Sequence, residues 1–124
     1  MEWIVDGMNL MGSRPDGWWR DRAAARRRMV TELAAFAARR QERVTVIFDG
    51  RRQTEEIAEG SEAGITVGFA PGGPNAADRV IAEMARSQAG VRVTVVTSDR
   101  PLATEVTAAG AAVMGVSAFR RLLA

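Results

Sequence analysis

Four short apolar runs rich in β-branched residues recur along the chain, each separated from the next by a longer stretch. The runs are Glu2–Val5, Arg43–Phe48, Ile65–Phe69 and Arg92–Thr97, with a weaker fifth at Ala111–Val116. Val44-Thr45-Val46-Ile47-Phe48 and Val93-Thr94-Val95-Val96 show little alternation of apolar and polar positions, as strands covered on both faces do. Arg20–Arg40 instead places Ala25, Met29, Leu33, Phe36 and Ala37 at helical spacing. Shorter helices are predicted over Asn75–Ala89, Pro101–Ala109 and Ser117–Leu123, with Gly90 and Gly110 standing where helix C-terminal glycines belong. The last of these carries Phe119, Leu122 and Leu123, which suit docking on the sheet. Arg51–Gly64 holds four glutamates and reads as a polar loop or short helix. Strand alternating with helix predicts an α/β domain with a parallel sheet, right-handed crossovers and helices on both faces. The 124 residues contain no linker, repeat or low-complexity tract, so residues 1–124 form one domain.

Composition changes the picture mainly by what it lacks. All 17 basic side chains are arginine, and lysine, histidine, cysteine and tyrosine are absent. Histidine triads, cysteine nucleophiles, Schiff-base and P-loop lysines, and zinc sites built on histidine or cysteine are thereby excluded. Any acid–base or metal-binding group must be a carboxylate, hydroxyl, amide or arginine. The sequence pI of 10.8 overstates the basic character, because the formal charge is only +2. Local charge must therefore carry any case for nucleic acid. No apolar run approaches the roughly 20 residues of a membrane span. The N-terminus lacks the features of a secretory signal, and the absence of cysteine fits a cytoplasmic protein.

Open parallel sheets bind ligands beyond the carboxyl ends of their strands, where the strand order switches. The first strand ends in Val5-Asp6-Gly7-Met8-Asn9, the second in Phe48-Asp49-Gly50 and the fourth in Thr97-Ser98-Asp99-Arg100. The third leads through Ala70-Pro71-Gly72-Gly73-Pro74 into a helix opening Asn75-Ala76-Ala77-Asp78. Four of the six aspartates thus fall at one edge of the sheet, Asp16 and Asp21 being the exceptions. Singly, Asp49-Gly50 suits a turn, Asp78 a helix N-terminus, and Ser98 or Asp99 a helix cap. Asp6 has no evident structural need. Together they require a common reason, since two carboxylates about 4 Å apart repel by roughly 4 kcal/mol at an effective dielectric near 20. Such a cluster raises its own pKa values or takes up cations. Oxygen donors without nitrogen or sulfur suit Mg²⁺ or Mn²⁺, which activate water and neutralise charge on a phosphodiester.

The ordered set Asp6-Gly7-Met8-Asn9, Phe48-Asp49-Gly50, Asn75-Ala76-Ala77-Asp78 and Val96-Thr97-Ser98-Asp99-Arg100 resembles the NYN domain of the PIN-like nuclease superfamily, closest to its YacP-like branch. The resemblance spans nearly the whole chain. It implies a three-layer α/β sandwich with a central parallel sheet in the order 3-2-1-4-5, an acidic Mg²⁺ or Mn²⁺ site, and endoribonuclease activity. It implies Asp6, Asp78 and Asp99 as metal-binding acids, Asn9 as the amide orienting the first acid or the substrate, and Asp49 as an accessory acid. Ser98 becomes a water ligand or a helix cap. Two positions depart from the branch: Met8 replaces an aromatic residue, and Ala82 stands one helical turn after Asp78, where a glutamate is usual. Glu83, five residues from Asp78, is rotated away from its face.

From Arg14 to Arg28, six arginines face two aspartates, a local charge of +4. Arginine pairs with phosphate and tryptophan stacks bases, so Arg14, Trp18, Trp19, Arg20 and Arg22 are candidate contacts to single-stranded RNA. Arg51 and Arg52 after Asp49, and Arg100 after Asp99, are candidates for the same role. The opposing expectation is that a tryptophan packs beneath the first helix while the arginines form a solvated face. The leading reading is a metal-dependent endoribonuclease. Its rivals are a non-catalytic RNA- or ribosome-binding module with a degraded acidic site, and a nuclease active only on RNA presented by a ribosome. Phosphoaspartyl enzymes, which normally place a lysine beside the phosphorylated aspartate, rank below these, because the chain has no lysine and Asp6-Gly7-Met8 lacks the second acid of the phosphatase pair.

Overall fold

A computed structural model of the chain describes residues 1–50, 60–62, 64–73, 75–88 and 91–123. The strands are β1 (Glu2–Asp6), β2 (Arg43–Asp49), β3 (Gly60–Glu62), β4 (Ile65–Ala70), β5 (Val93–Val96) and β6 (Ala112–Met114). The helices are α1 (Gly7–Gly12), α2 (Arg22–Arg40), α3 (Ala76–Ser87), α4 (Arg100–Ala108) and α5 (Val116–Leu123), with a 3-10 turn at Trp18–Arg20. The sheet order is β3-β4-β2-β1-β5-β6. All neighbours run parallel except β3, which pairs antiparallel with β4. The five parallel strands, counted along the chain, stand in the order 3-2-1-4-5. Of the expected polar segment Arg51–Gly64, residues 51–59 and 63 lie outside the described residues, and 60–62 add a short edge strand.

Strand side chains alternate between two cores, which explains the unbroken apolar runs. Trp3, Val5, Val44, Val46, Phe48 and Val96 face one side with Leu10, Met29, Leu33, Phe36 and Phe119 of α1, α2 and α5. Ile4, Ile47, Val93 and Val95 face the other with Ile81, Ala82, Leu102 and Val106 of α3 and α4. Trp3, Phe36 and Phe119 meet with ring centroids 5.1–5.4 Å apart, so α5 docks on the sheet. The Trp3 indole N–H donates to Glu42 at 3.1 Å.

The short helix α1 has no signature in the sequence. It begins at Gly7, where a Cβ would lie 2.5 Å from Phe48 Cδ1 and 3.0 Å from the Ile47 carbonyl oxygen. Only a residue without a side chain lets the chain turn out of β1 against β2 there. Gly110 ends the α4 segment with φ 97°, the left-handed conformation expected of it. Gly90, the other expected helix-ending glycine, lies outside the described residues.

Candidate active site

Three of the four edge aspartates are fixed by backbone N–H groups. Asp6 is 4% exposed and is the N-cap of α1: its Oδ1 accepts the Asn9 N–H at 3.3 Å. Its Oδ2 accepts the hydroxyl of buried Thr97 at 3.0 Å. The same Thr97 Oγ1 accepts the Asp99 N–H at 3.1 Å, so one hydroxyl joins the first acid to the last. Asp99 caps α4 by accepting the Leu102 N–H at 2.9 Å. Asp49 accepts the Ala77 N–H at 2.9 Å and so caps α3 from another element. Asn75, expected at the start of that helix, is in the left-handed region at φ 64° and its side chain caps nothing. Asp78 sits in the first turn of α3 and is half-buried.

These positions put the acids within one another's fields. Burial pushes Asp6 up to about 6; the Asn9 and Thr97 hydrogen bonds oppose this, and the charges of Asp78 and Asp49 add to it. Asp78 is also raised, first by burial, then by the charges of Asp99, Asp49 and Glu105, while Arg79 offsets part of the effect. Glu105, on α4, is a fifth acid bordering the group; nothing in its sequence context marks it. Among the described residues no three acidic side chains are arranged closely enough to form a metal-holding group by themselves. The donor set still suits a hard divalent ion, because Mg²⁺ keeps several waters and takes only one or two carboxylates directly. Oxygen-only acids such as Asp6 and Asp78, raised by burial and then by neighbouring carboxylates, are also what a cation would relieve.

Asn9 closes the site's rim. Its Oδ1 accepts the Ser98 N–H at 2.7 Å, which ties α1 to the end of β5 and leaves the amide NH₂ as a donor. Ser98 Oγ accepts the Val116 N–H at 3.1 Å and so holds the start of α5. Thr97 is the residue that pattern reading misses, since a threonine ending a strand looks like any strand former. Ala82 is 2% exposed in the core, and Glu83 points outward to Arg86 at 2.8 Å. The acid usual one turn after Asp78 is therefore absent from the site.

The arginines divide sharply. Arg14 is bound through both terminal nitrogens to Glu32 at 2.6 and 3.0 Å, so its charge is already neutralised. Buried Arg26 donates from Nη2 to the Asp49 carbonyl at 3.2 Å and lies over the Phe48 and Phe69 rings. It braces the turn from which Asp49 projects. Arg20, Arg22 and Arg100 are exposed. Arg51 and Arg52 lie outside the described residues. Trp18 is half-buried against the core, whereas Trp19 is exposed.

A parallel sheet in this order, with carboxylates gathered at one edge, makes the chain an open α/β domain with an acidic rim at its switch point. The chain belongs to the YacP-like NYN domain family, whose model matches residues 3–124. It is similar in fold to two crystal structures of Rae1 (YacP) from Bacillus subtilis, one of them of a mutant. They match with TM-scores of 0.80 and, for the mutant, 0.79, at 22% and 21% identity. Each alignment covers 99% of this chain, and 73% and 74% of the respective neighbour. No curated protein gave a significant match. No described helix is long and apolar enough to cross a membrane.

Proposed function

We propose that the protein is a metal-dependent endoribonuclease acting on single-stranded RNA. The observation carrying this reading is the gathering of Asp6, Asp49, Asp78 and Asp99 at one edge, with a single Thr97 hydroxyl joining Asp6 to the Asp99 backbone. Asp6, Asp78 and Asp99 would hold Mg²⁺ or Mn²⁺, with Asp49 accessory. Such an ion lowers the pKa of bound water and neutralises charge on the scissile phosphate. Thr97 keeps Asp6 from rotating, and the backbone N–H of Asn9 fixes the other oxygen. The Asn9 amide is left to donate to a phosphate oxygen. Arg20, Arg22 and Arg100 supply exposed cations for the RNA backbone.

Incubating labelled single-stranded RNA with Mn²⁺ tests the proposal. Wild type should cleave, chelator should abolish cleavage, and Asp6→Asn should slow it by at least about 100-fold. Glu83→Gln should change nothing, because that acid is turned to Arg86. Equal rates for wild type and Asp6→Asn would defeat the reading.

Buried Ala82 supports a second reading, a binding module whose acidic site lacks a ligand. RNA retention without turnover in any divalent ion would favour it. Turnover only in the presence of translating ribosomes would instead mark a partner-dependent nuclease.

A further inference from the structure

The two adjacent tryptophans do opposite things. Trp18 packs against the core and lies 3.8 Å from where a Cβ on Gly12 would stand, at the end of α1. Trp19 is 55% exposed, the highest value among the large apolar side chains of the described residues. The two rings are perpendicular at 6.0 Å, and the Arg20 guanidinium lies over the Trp19 ring, 5.7 Å from its centroid. Arg22 covers Trp18 in the same way at 5.4 Å. Trp19 thus has a packed edge and a cation over its ring, and still leaves more than half its surface to solvent.

The segment presenting it is ordered by its own contacts. The Trp18 N–H donates to Asp16 at 3.2 Å, and the Arg20 N–H to the Gly17 carbonyl at 3.0 Å. Gly17 adopts φ 74°, and Asp21 caps α2 through the Ala24 N–H at 3.1 Å. Arg120 of α5 donates to the Ser13 carbonyl at 2.7 Å and fastens the preceding stretch. Such a turn loses little freedom when a ligand stacks on it. The turn is joined to the acidic edge through α1: Asp6 caps one end of this six-residue helix, about 9 Å long, and Trp18 lies beside Gly12 at the other.

We propose that Trp19 is a stacking platform for one unpaired RNA base on the ring face away from Arg20, whose guanidinium meets the adjoining phosphate. This rests on the endoribonuclease reading and adds to it a substrate requirement: the strand must be unpaired at the Trp19 position. Every base offers a π-face, so the platform tolerates any sequence but is denied to a paired base.

The test uses the 124-residue chain carrying Asp6→Asn to prevent cleavage, and a short single-stranded RNA containing 2-aminopurine. Adding Trp19→Ala should raise Kd on the order of 10- to 100-fold and abolish the quenching of 2-aminopurine. Trp19→Phe should retain quenching and lie near the parent in Kd. A duplex of the same sequence should bind equally with or without Trp19. The proposal is overturned if Trp19→Ala leaves single-strand Kd and quenching unchanged, or if it weakens duplex and single strand alike. An unchanged Kd beside intact wild-type cleavage overturns the platform and leaves the nuclease reading standing. Wild type that neither binds nor cleaves RNA removes both.

Discussion

Burial at Asp6 works against the charge that the site needs. The folded protein holds its proton up to about pH 6, whereas an unfolded aspartate releases it near 3.8. The folded state therefore binds more protons between those values, and stability falls as pH rises through that window. Above it the cost of the buried charge is present in full. Asp6→Asn removes that charge, so it should melt higher than wild type at pH 8 without divalent ions, and gain much less near pH 4. A shift of about two units sets a ceiling near 3 kcal/mol. The asparagine NH₂ cannot accept the Thr97 hydroxyl as the carboxylate does, so a gain of about 1–2 kcal/mol is expected. Thermal denaturation at the two pH values decides it; a variant no more stable at pH 8 would mean that Asp6 ionises at little cost. The same substitution should slow cleavage by about 100-fold or more, which separates the site's demands from the fold's.

At the scale of elements, the acids also serve as caps. Asp6, Asp49 and Asp99 each accept a backbone N–H at the start of α1, α3 and α4. Capping and the proposed metal binding, set against each other in the sequence, are compatible in the same side chains: a capping oxygen leaves the second oxygen of Asp49 or Asp99 for a ligand. Asp49→Ala should cost about 1 kcal/mol in urea denaturation through the lost cap on α3, and Asp49→Asn only a few tenths, because its carbonyl still accepts from Ala77. Equal losses would show that charge, not capping, sets the effect. The α5 helix makes a larger contribution through Phe119, which is fully buried between Trp3 and Phe36. Phe119→Ala should cost about 3–5 kcal/mol by the same measurement; a loss under about 1 kcal/mol would mean that α5 is only loosely docked. The parallel strands were legible because burial on both faces leaves unbroken apolar runs. Gly7–Gly12 was not, since six residues beginning with a glycine carry too little periodicity to mark a helix. Gly60–Glu62 was hidden because a polar edge strand looks like a loop. The acids could be read from their positions after strands, but the Thr97 bridge and the opposite orientations of Trp18 and Trp19 depend on contacts far apart in the chain.

For the whole molecule, histidine and lysine are missing and the raised carboxylates dominate one edge, so metal binding and protonation should compete directly. An ion that binds only the native state stabilises it by RT ln(1 + [L]/Kd), about 2.7 kcal/mol at a hundredfold excess over Kd. Mn²⁺ at millimolar concentration should therefore raise Tm by several degrees at pH 8, where Asp6 is ionised. At pH 5 Asp6 holds its proton and Asp78 is shifted the same way, so the increase should shrink or vanish. NaCl at matched ionic strength should not reproduce the effect, because screening weakens repulsion without filling the site. Asp6→Asn and Asp78→Asn should each remove most of the Mn²⁺ response, while Glu83→Gln retains it. A response equal at pH 5 and pH 8, or one surviving both aspartate substitutions, would place the ion elsewhere on the protein and take the metal centre away from this edge.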